Sequence, residues 1–197
     1  MVILPDHKMA FIHIPRTSGT ALSSALCTVF ANAEWINTID GQHTTAKRLA
    51  RKYPGYSTFA IMRNPIDIFR SHYGWCLRYH ESPPKGPPWF VEAIHKAASR
   101  TINAHIKHCL ANQLICNHQG FFDSYCVADT TVYRYEDDPY AGISKLLGVN
   151  LDVQRENETR HILPDLADDV VSAIATRCAA DFERFGYDVP DKISQAN

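Results

Sequence analysis

Residues 9–33 read MAFIHIPRTSGTALSSALCTVFANA, and this stretch decides the fold. Met9 to Ile14 is a short apolar run carrying aromatic and β-branched residues, the pattern of a buried strand. Pro15 to Thr20 (PRTSGT) breaks that run as a polar turn. From Ala21 to Ala33 the apolar residues Leu22, Ala25, Leu26, Val29 and Phe30 recur at helical spacing, so one helix face packs inward. The unit is strand, polar loop, helix.

A second copy begins at Ser57. STFAIM reads as a strand, and Arg63-Asn64-Pro65 ends it before a helix expected to run to about Arg78. Asn64 suits the N-cap, Pro65 the first helical position, and Asp67 the positive end of the helix dipole. Between the two units, Thr44 to Tyr53 reads as a short basic helix behind Gly41-Gln42-His43. Thr130 to Tyr135 (TTVYRY) is a third strand. Strands alternating with helices give an α/β domain with a central parallel sheet flanked by helices.

Farther along, Ser82 to Pro88 (SPPKGPP) holds neither helix nor sheet. Trp89 to Leu114 has mixed helical periodicity, with Ile94, Ile102, Ile106 and Leu110 as core positions. Helices are expected at Tyr140 to Leu147 and at Pro164 to Phe185, the latter stopped by Gly186. At 197 residues, one domain over 1–197 is expected.

The composition is that of an ordinary globular protein, with 45% hydrophobic and 21% charged residues, and excludes a disordered or collagen-like chain. A net charge of −1 gives no global field for a nucleic acid or an anionic membrane, so neither is expected as partner. A local basic pocket for a small anion remains compatible. The six cysteines include no C-x-x-C pair, which makes reduced thiols the default. With no signal-peptide pattern and no apolar run of membrane length, a cytoplasmic location is expected. The triplet Asn157-Glu158-Thr159 is a glycosylation sequon, of a kind that also occurs by chance.

The first loop gathers backbone N–H groups, the Thr17, Ser18 and Thr20 hydroxyls and the Arg16 guanidinium at a helix start. Gly19 lets the chain turn tightly, and the arrangement suits an anion. The competing reading is a helix merely capped by Thr17 or Ser18. No Walker A pattern is present. The second loop supplies Arg63 just after a strand and Ser71 on the following helix, close enough along the helix to share one phosphate. Its plainer reading is an exposed salt bridge and an exposed serine.

At these residues the chain resembles the sulfotransferases that use 3′-phosphoadenosine 5′-phosphosulfate. FIHIPRTSGTAL (11–22) is similar to their 5′-phosphosulfate loop and FAIMRNPIDIFRSHY (59–73) to their 3′-phosphate motif. The carbohydrate sulfotransferase branch is the nearer likeness. VYRYEDD (132–138), and more loosely Asn112-Gln113-Leu114 and FERFGY (182–187), extend the resemblance over most of the chain. It implies a P-loop-kinase-like fold, with Arg16, Thr17, Ser18, Gly19 and Thr20 on the phosphosulfate and Arg63 and Ser71 on the 3′-phosphate. Two positions depart from the family's usual HIPKTGGT: Arg16 replaces lysine and Ser18 replaces glycine. A guanidinium keeps the charge but does not give up a proton at neutral pH, so its help to the leaving group is electrostatic.

His43 stands where the similar carbohydrate enzymes place a histidine thought to act as base, and imidazole suits that task. The plainer reading is a surface histidine near a helix start. His13 is expected in the core, and His72, beside Ser71, is the next candidate base. His105, His108, Cys109, Cys116 and His118 form a histidine- and cysteine-rich stretch without a recurrent zinc spacing, so no metal is expected. The expectation is sulfuryl transfer from 3′-phosphoadenosine 5′-phosphosulfate to a small-molecule or glycan hydroxyl or amine, with His43, Arg16 and Thr20 catalytic. The alternatives are an inactive nucleotide-binding module of the same fold and a small-molecule kinase.

Overall fold

The computed structural model describes residues 1–36, 43–83, 86–154 and 162–189. The chain divides into two compact units, Met1–Arg63 with Phe121–Asn157, and Asn64–Gly120 with Glu158–Asn197. The sequon 157–159, Gly41-Gln42 and Pro84-Lys85 lie outside the described residues.

The first unit holds a five-stranded sheet built from β1 (Val2–Leu4), β2 (Met9–Ile12), β3 (Glu34–Trp35), β4 (Ser57–Met62) and β5 (Thr131–Arg134), in the order β3-β1-β2-β4-β5. The pairs β2/β4 and β4/β5 are parallel, with Ile12 opposite Ala60 and Met62 opposite Arg134. The three expected strands therefore form the parallel half of the sheet.

The other half is antiparallel, because β1 pairs antiparallel with both β2 and β3. Only a single 3-10 turn at Pro5–His7, closed by Lys8 in the left-handed region (φ 48°), separates β1 from β2. A connection so short permits a hairpin and no crossover.

Phe11, Phe59 and Ile61 alternate onto one face with Val2 and Leu4, and all five are essentially inaccessible to solvent. That face receives Leu22 and Leu26 of α1 (Gly19–Val29) and Ile143 and Leu147 of α7 (Pro139–Leu147). Each such side chain removed from water is worth about 1.5–3 kcal/mol. Ile3, Ala10, Ile12, Ala60 and Met62, on the opposite face, are buried as well. The helix α1 is shorter than the apolar spacing suggests: Phe30 is already extended at its C-cap and Val29 is exposed. The basic helix α2 (Ala46–Lys52) is capped by Thr45, whose hydroxyl oxygen accepts from the Arg48 N–H at 3.2 Å.

The second unit is helical: α3 (Pro65–Glu81), α4 (Pro88–Ala98), α5 (Ile102–Asn112), α8 (Asp168–Arg177) and α9 (Ala179–Phe185). Along the chain, the boundary between the two units falls after Gly120, the first residue of α6 (Gly120–Tyr125). Asn64 caps α3 as expected, its Oδ1 accepting from the Ile66 N–H at 3.0 Å. The apolar stretch after Pro88 splits into two helices because Thr101 caps a new start, accepting from Ala104 N–H. Ile94, Ile102, Ile106 and Leu110 are buried as expected.

The last helix departs from expectation twice. It begins at Asp168 rather than near Pro164, where the Leu163 and Pro164 carbonyls accept from the Arg70 guanidinium at 3.2 and 3.1 Å. It also breaks at Cys178 (φ −107°, ψ 22°). Gly186 ends α9 in the left-handed region, as its position predicts. Among the described residues, no helix is long and apolar enough to cross a membrane.

Candidate active site

Because β2 and β4 run parallel and in register, the loops after them leave the same edge of the sheet. This is the edge at which ligands bind in open α/β sheets. Arg16 follows one strand and Arg63 the other.

In the first loop, Arg16 and Ser18 both hold φ at 65°, in the left-handed region that favours glycine. Such non-glycine residues cost roughly 1–2 kcal/mol each, and strain of that kind collects at functional sites. Ser18 is the N-cap of α1, yet no side chain caps that helix. The simple capping reading of Thr17 and Ser18 is therefore incorrect. Thr17 is buried with its hydroxyl donating to the Ile14 carbonyl at 2.9 Å, a bond that braces the loop. Ser18 Oγ lies 2.6 Å from the Tyr140 hydroxyl, leaving one of the two protons for another acceptor. What Thr17 offers a ligand is thus its main chain, whereas Ser18 retains hydroxyl chemistry shared with Tyr140. Thr20 is half-buried in the first turn of α1.

Gly19 is required here for lack of space. A Cβ on it would stand 1.9 Å from Cδ2 of His13, whose ring is 3% exposed and has nowhere to go. Gly19→Ala is expected to destabilise the fold by about 3 kcal/mol or more, the upper range of an overpacked core. Chemical denaturation measures this, and a loss below about 1 kcal/mol would mean that the His13 ring does not rest on Gly19.

His43 lies beside the same histidine. Its Nδ1 donates to the His13 main-chain carbonyl at 2.8 Å, and the two rings meet edge to face with centroids 4.7 Å apart. A carbonyl only accepts, so Nδ1 carries the proton and Nε2 of the neutral ring keeps its lone pair. The residue is exposed, yet protein crowds the imidazole enough that desolvation lowers its pKa below the ordinary 6.5, against the opposing effect of the carbonyl bond. Burial drives His13 well below that value, with the neighbouring His43 adding to it. The two imidazoles are therefore neutral at physiological pH.

Arg63 is held by stacking. Its guanidinium carbon sits 4.8 Å from the centre of the Tyr135 ring, one residue beyond the Met62–Arg134 register pair. Its buried Nε finds no hydrogen-bond partner among the described residues. An unsatisfied buried guanidinium donor is costly unless an anion completes it. Tyr135 and Tyr140 are the residues that sequence reasoning missed. Tyr135 lies inside the VYRYEDD segment, so its signal was present, whereas nothing local marks Tyr140.

Ser71 lies half-buried on the second turn of α3, in the helical unit, so its pairing with Arg63 rests on chain spacing. His72 contacts His105 within that same unit. No known protein family, characterised protein or solved structure matches this chain.

Proposed function

We propose that this protein is a sulfotransferase of the P-loop-kinase-like fold, moving a sulfuryl group from 3′-phosphoadenosine 5′-phosphosulfate to an acceptor hydroxyl or amine. The observation that carries the reading is His43, fixed by the His13 carbonyl as the tautomer with a basic Nε2, beside the strained loop that begins at Arg16. The resemblance of residues 11–22 and 59–73 to the two nucleotide motifs supports the choice of donor.

In this mechanism the acceptor oxygen gives its proton to His43 Nε2 as it forms the new O–S bond. The S–O bond to the 5′-phosphate breaks, leaving adenosine 3′,5′-bisphosphate. The loop N–H groups and the hydroxyls of Ser18 and Thr20 hold the phosphosulfate. Arg16 stabilises negative charge on the leaving oxygen without transferring a proton. Arg63, over the Tyr135 ring, takes the 3′-phosphate, and Ser71 is assigned to the same phosphate from the motif spacing. Positioning and charge stabilisation carry such a transfer, as they do phosphoryl transfer.

Adenosine 3′,5′-bisphosphate is expected to raise the melting temperature much more than adenosine 5′-monophosphate. Arg63→Ala should cost about 1.5–3 kcal/mol of bisphosphate affinity, the size of a charged hydrogen bond. Equal stabilisation by the two nucleotides would remove the role given to Arg63. The activity itself is tested by incubating the protein with the sulfuryl donor and a panel of glycans, phenols and amines, and reading the mass gain of one sulfuryl group.

A further inference from the structure

The helical unit contains a second cluster of reactive side chains that the proposed transfer does not use. His-x-x-x-Cys occurs at His72–Cys76 on α3 and again at His105–Cys109 on α5. On a helix, residues four apart share a face. The two helices pack together, and the Tyr73 hydroxyl donates to the Arg100 carbonyl just ahead of α5 at 2.7 Å. The result is that one ring nitrogen each of His72 and His105 and the Cys76 Sγ all lie within 4.8 Å of one another.

Their separations are of the order found around one ion. His72 Nδ1 stands 3.0 Å from His105 Nε2, and the Cys76 sulfur lies within 4.8 Å of both histidine ligand atoms. Tetrahedral Zn²⁺, with bonds of about 2.0–2.1 Å to nitrogen and 2.3 Å to sulfur, separates two nitrogens by about 3.3 Å and a nitrogen from a sulfur by about 3.6 Å. Hydrogen bonding alone serves the cluster poorly. A neutral imidazole nitrogen offers either one proton or one lone pair, yet His105 Nε2 faces both the His72 nitrogen and, at 3.4 Å, the sulfur of Cys109, its own helix neighbour. His105 is 1% exposed and Cys76 2%, so the cluster is closed to bulk solvent. A cation accepts every converging lone pair at once.

We propose that His72, Cys76 and His105 bind a divalent transition-metal ion of the Zn²⁺ class. Two imidazoles and a thiolate form the donor set that selects zinc over the hard cations Mg²⁺ and Ca²⁺. Binding releases the Cys76 thiol proton to solvent. The three ligands also line a cavity of about 330 Å³, together with Trp75, Phe90, Ile94, Lys96 and Arg100. The sequence spacing of His105, His108, Cys109, Cys116 and His118 conceals this set, because only His105 of those residues belongs to it and the other two ligands come from α3. All three ligands lie in the helical unit, so the inference stands or falls apart from the sulfuryl-transfer reading.

The test is titration of the intact, reduced chain with Co²⁺ and Zn²⁺. One equivalent of Co²⁺ should produce visible bands of tetrahedral intensity and a near-ultraviolet thiolate-to-cobalt charge-transfer band, and Zn²⁺ should displace it. Cys76→Ser should abolish the charge-transfer band, and His72→Ala, at a half-buried position, should weaken binding by about 100-fold or more. His108→Ala and His118→Ala should leave both unchanged. Where Cys76→Ser fails to fold, the wild-type chain supplies the same information: Zn²⁺ should slow alkylation of Cys76, read by peptide mass spectrometry, and Mg²⁺ should not. Absence of the charge-transfer band at one equivalent, its survival in Cys76→Ser, or unprotected Cys76 would each overturn the assignment.

Discussion

Replacing His43 by alanine is expected to lower sulfuryl-transfer turnover to a sugar hydroxyl by about 100-fold to 10,000-fold, the contribution of a positioned general base. Affinity for adenosine 3′,5′-bisphosphate should stay nearly unchanged, since the side chain is assigned to the acceptor. The geometry behind this is the bond from His43 Nδ1 to the His13 carbonyl, which leaves a single lone pair, on Nε2. The pH profile gives a second readout. Only the neutral ring accepts a proton, so the rate falls on acidification. Desolvation places the ionisation below 6.5, and the acid limb should therefore lie below the ordinary histidine range. An acidic acceptor such as a phenol should depend less on His43 than a sugar. Wild-type turnover of a sugar by His43→Ala would transfer the base to another residue. If the bisphosphate binds tightly and no acceptor is ever sulfated, the chain is a nucleotide-binding module instead.

Arg16→Ala is the second large effect, with turnover expected to fall by about 100-fold or more, the scale of one lost oxyanion donor. Arg16→Lys should keep appreciable activity, because charge rather than proton donation is its assigned contribution. The backbone makes a sharper test available. Arg16 holds φ at 65°, a conformation that alanine and lysine tolerate no better and glycine tolerates freely. Arg16→Gly is therefore expected to raise stability by about 1 kcal/mol while losing turnover as alanine does. Stability is read from a denaturation curve and turnover from donor consumption. A glycine variant that gains stability and keeps wild-type turnover would show that the loop is only a turn.

Much of the fold was legible because its signals are local. The strand Ser57–Met62 matches its expected bounds, since its apolar residues are bounded by Tyr56 and by Asn64-Pro65. The start of α3 is encoded by Asn64, Pro65 and Asp67 within four residues. The positions Ile94, Ile102, Ile106 and Leu110 followed from helical period alone. The two-residue strand Glu34–Trp35 carried no such signal, for it exists only because β1 offers it an edge. The break at Cys178 likewise has no Gly or Pro to announce it.

The site divides in the same way. By itself the sequence determined that two polar loops follow two strands, and it marked Arg16, Gly19, His43 and Arg63 as candidate site residues. Tertiary structure alone decided what those residues and their neighbours touch. It turned the Thr17 hydroxyl inward to Ile14, set Tyr140 against Ser18 across 122 residues of chain, and laid Tyr135 under Arg63. It also fixed the tautomer of His43 and drew His72 and Cys76 to His105. The physical reason is one of range. Propensity, capping and period act within a few residues, whereas a hydrogen bond or a ligand set depends on which distant segments the sheet register and helix packing bring together.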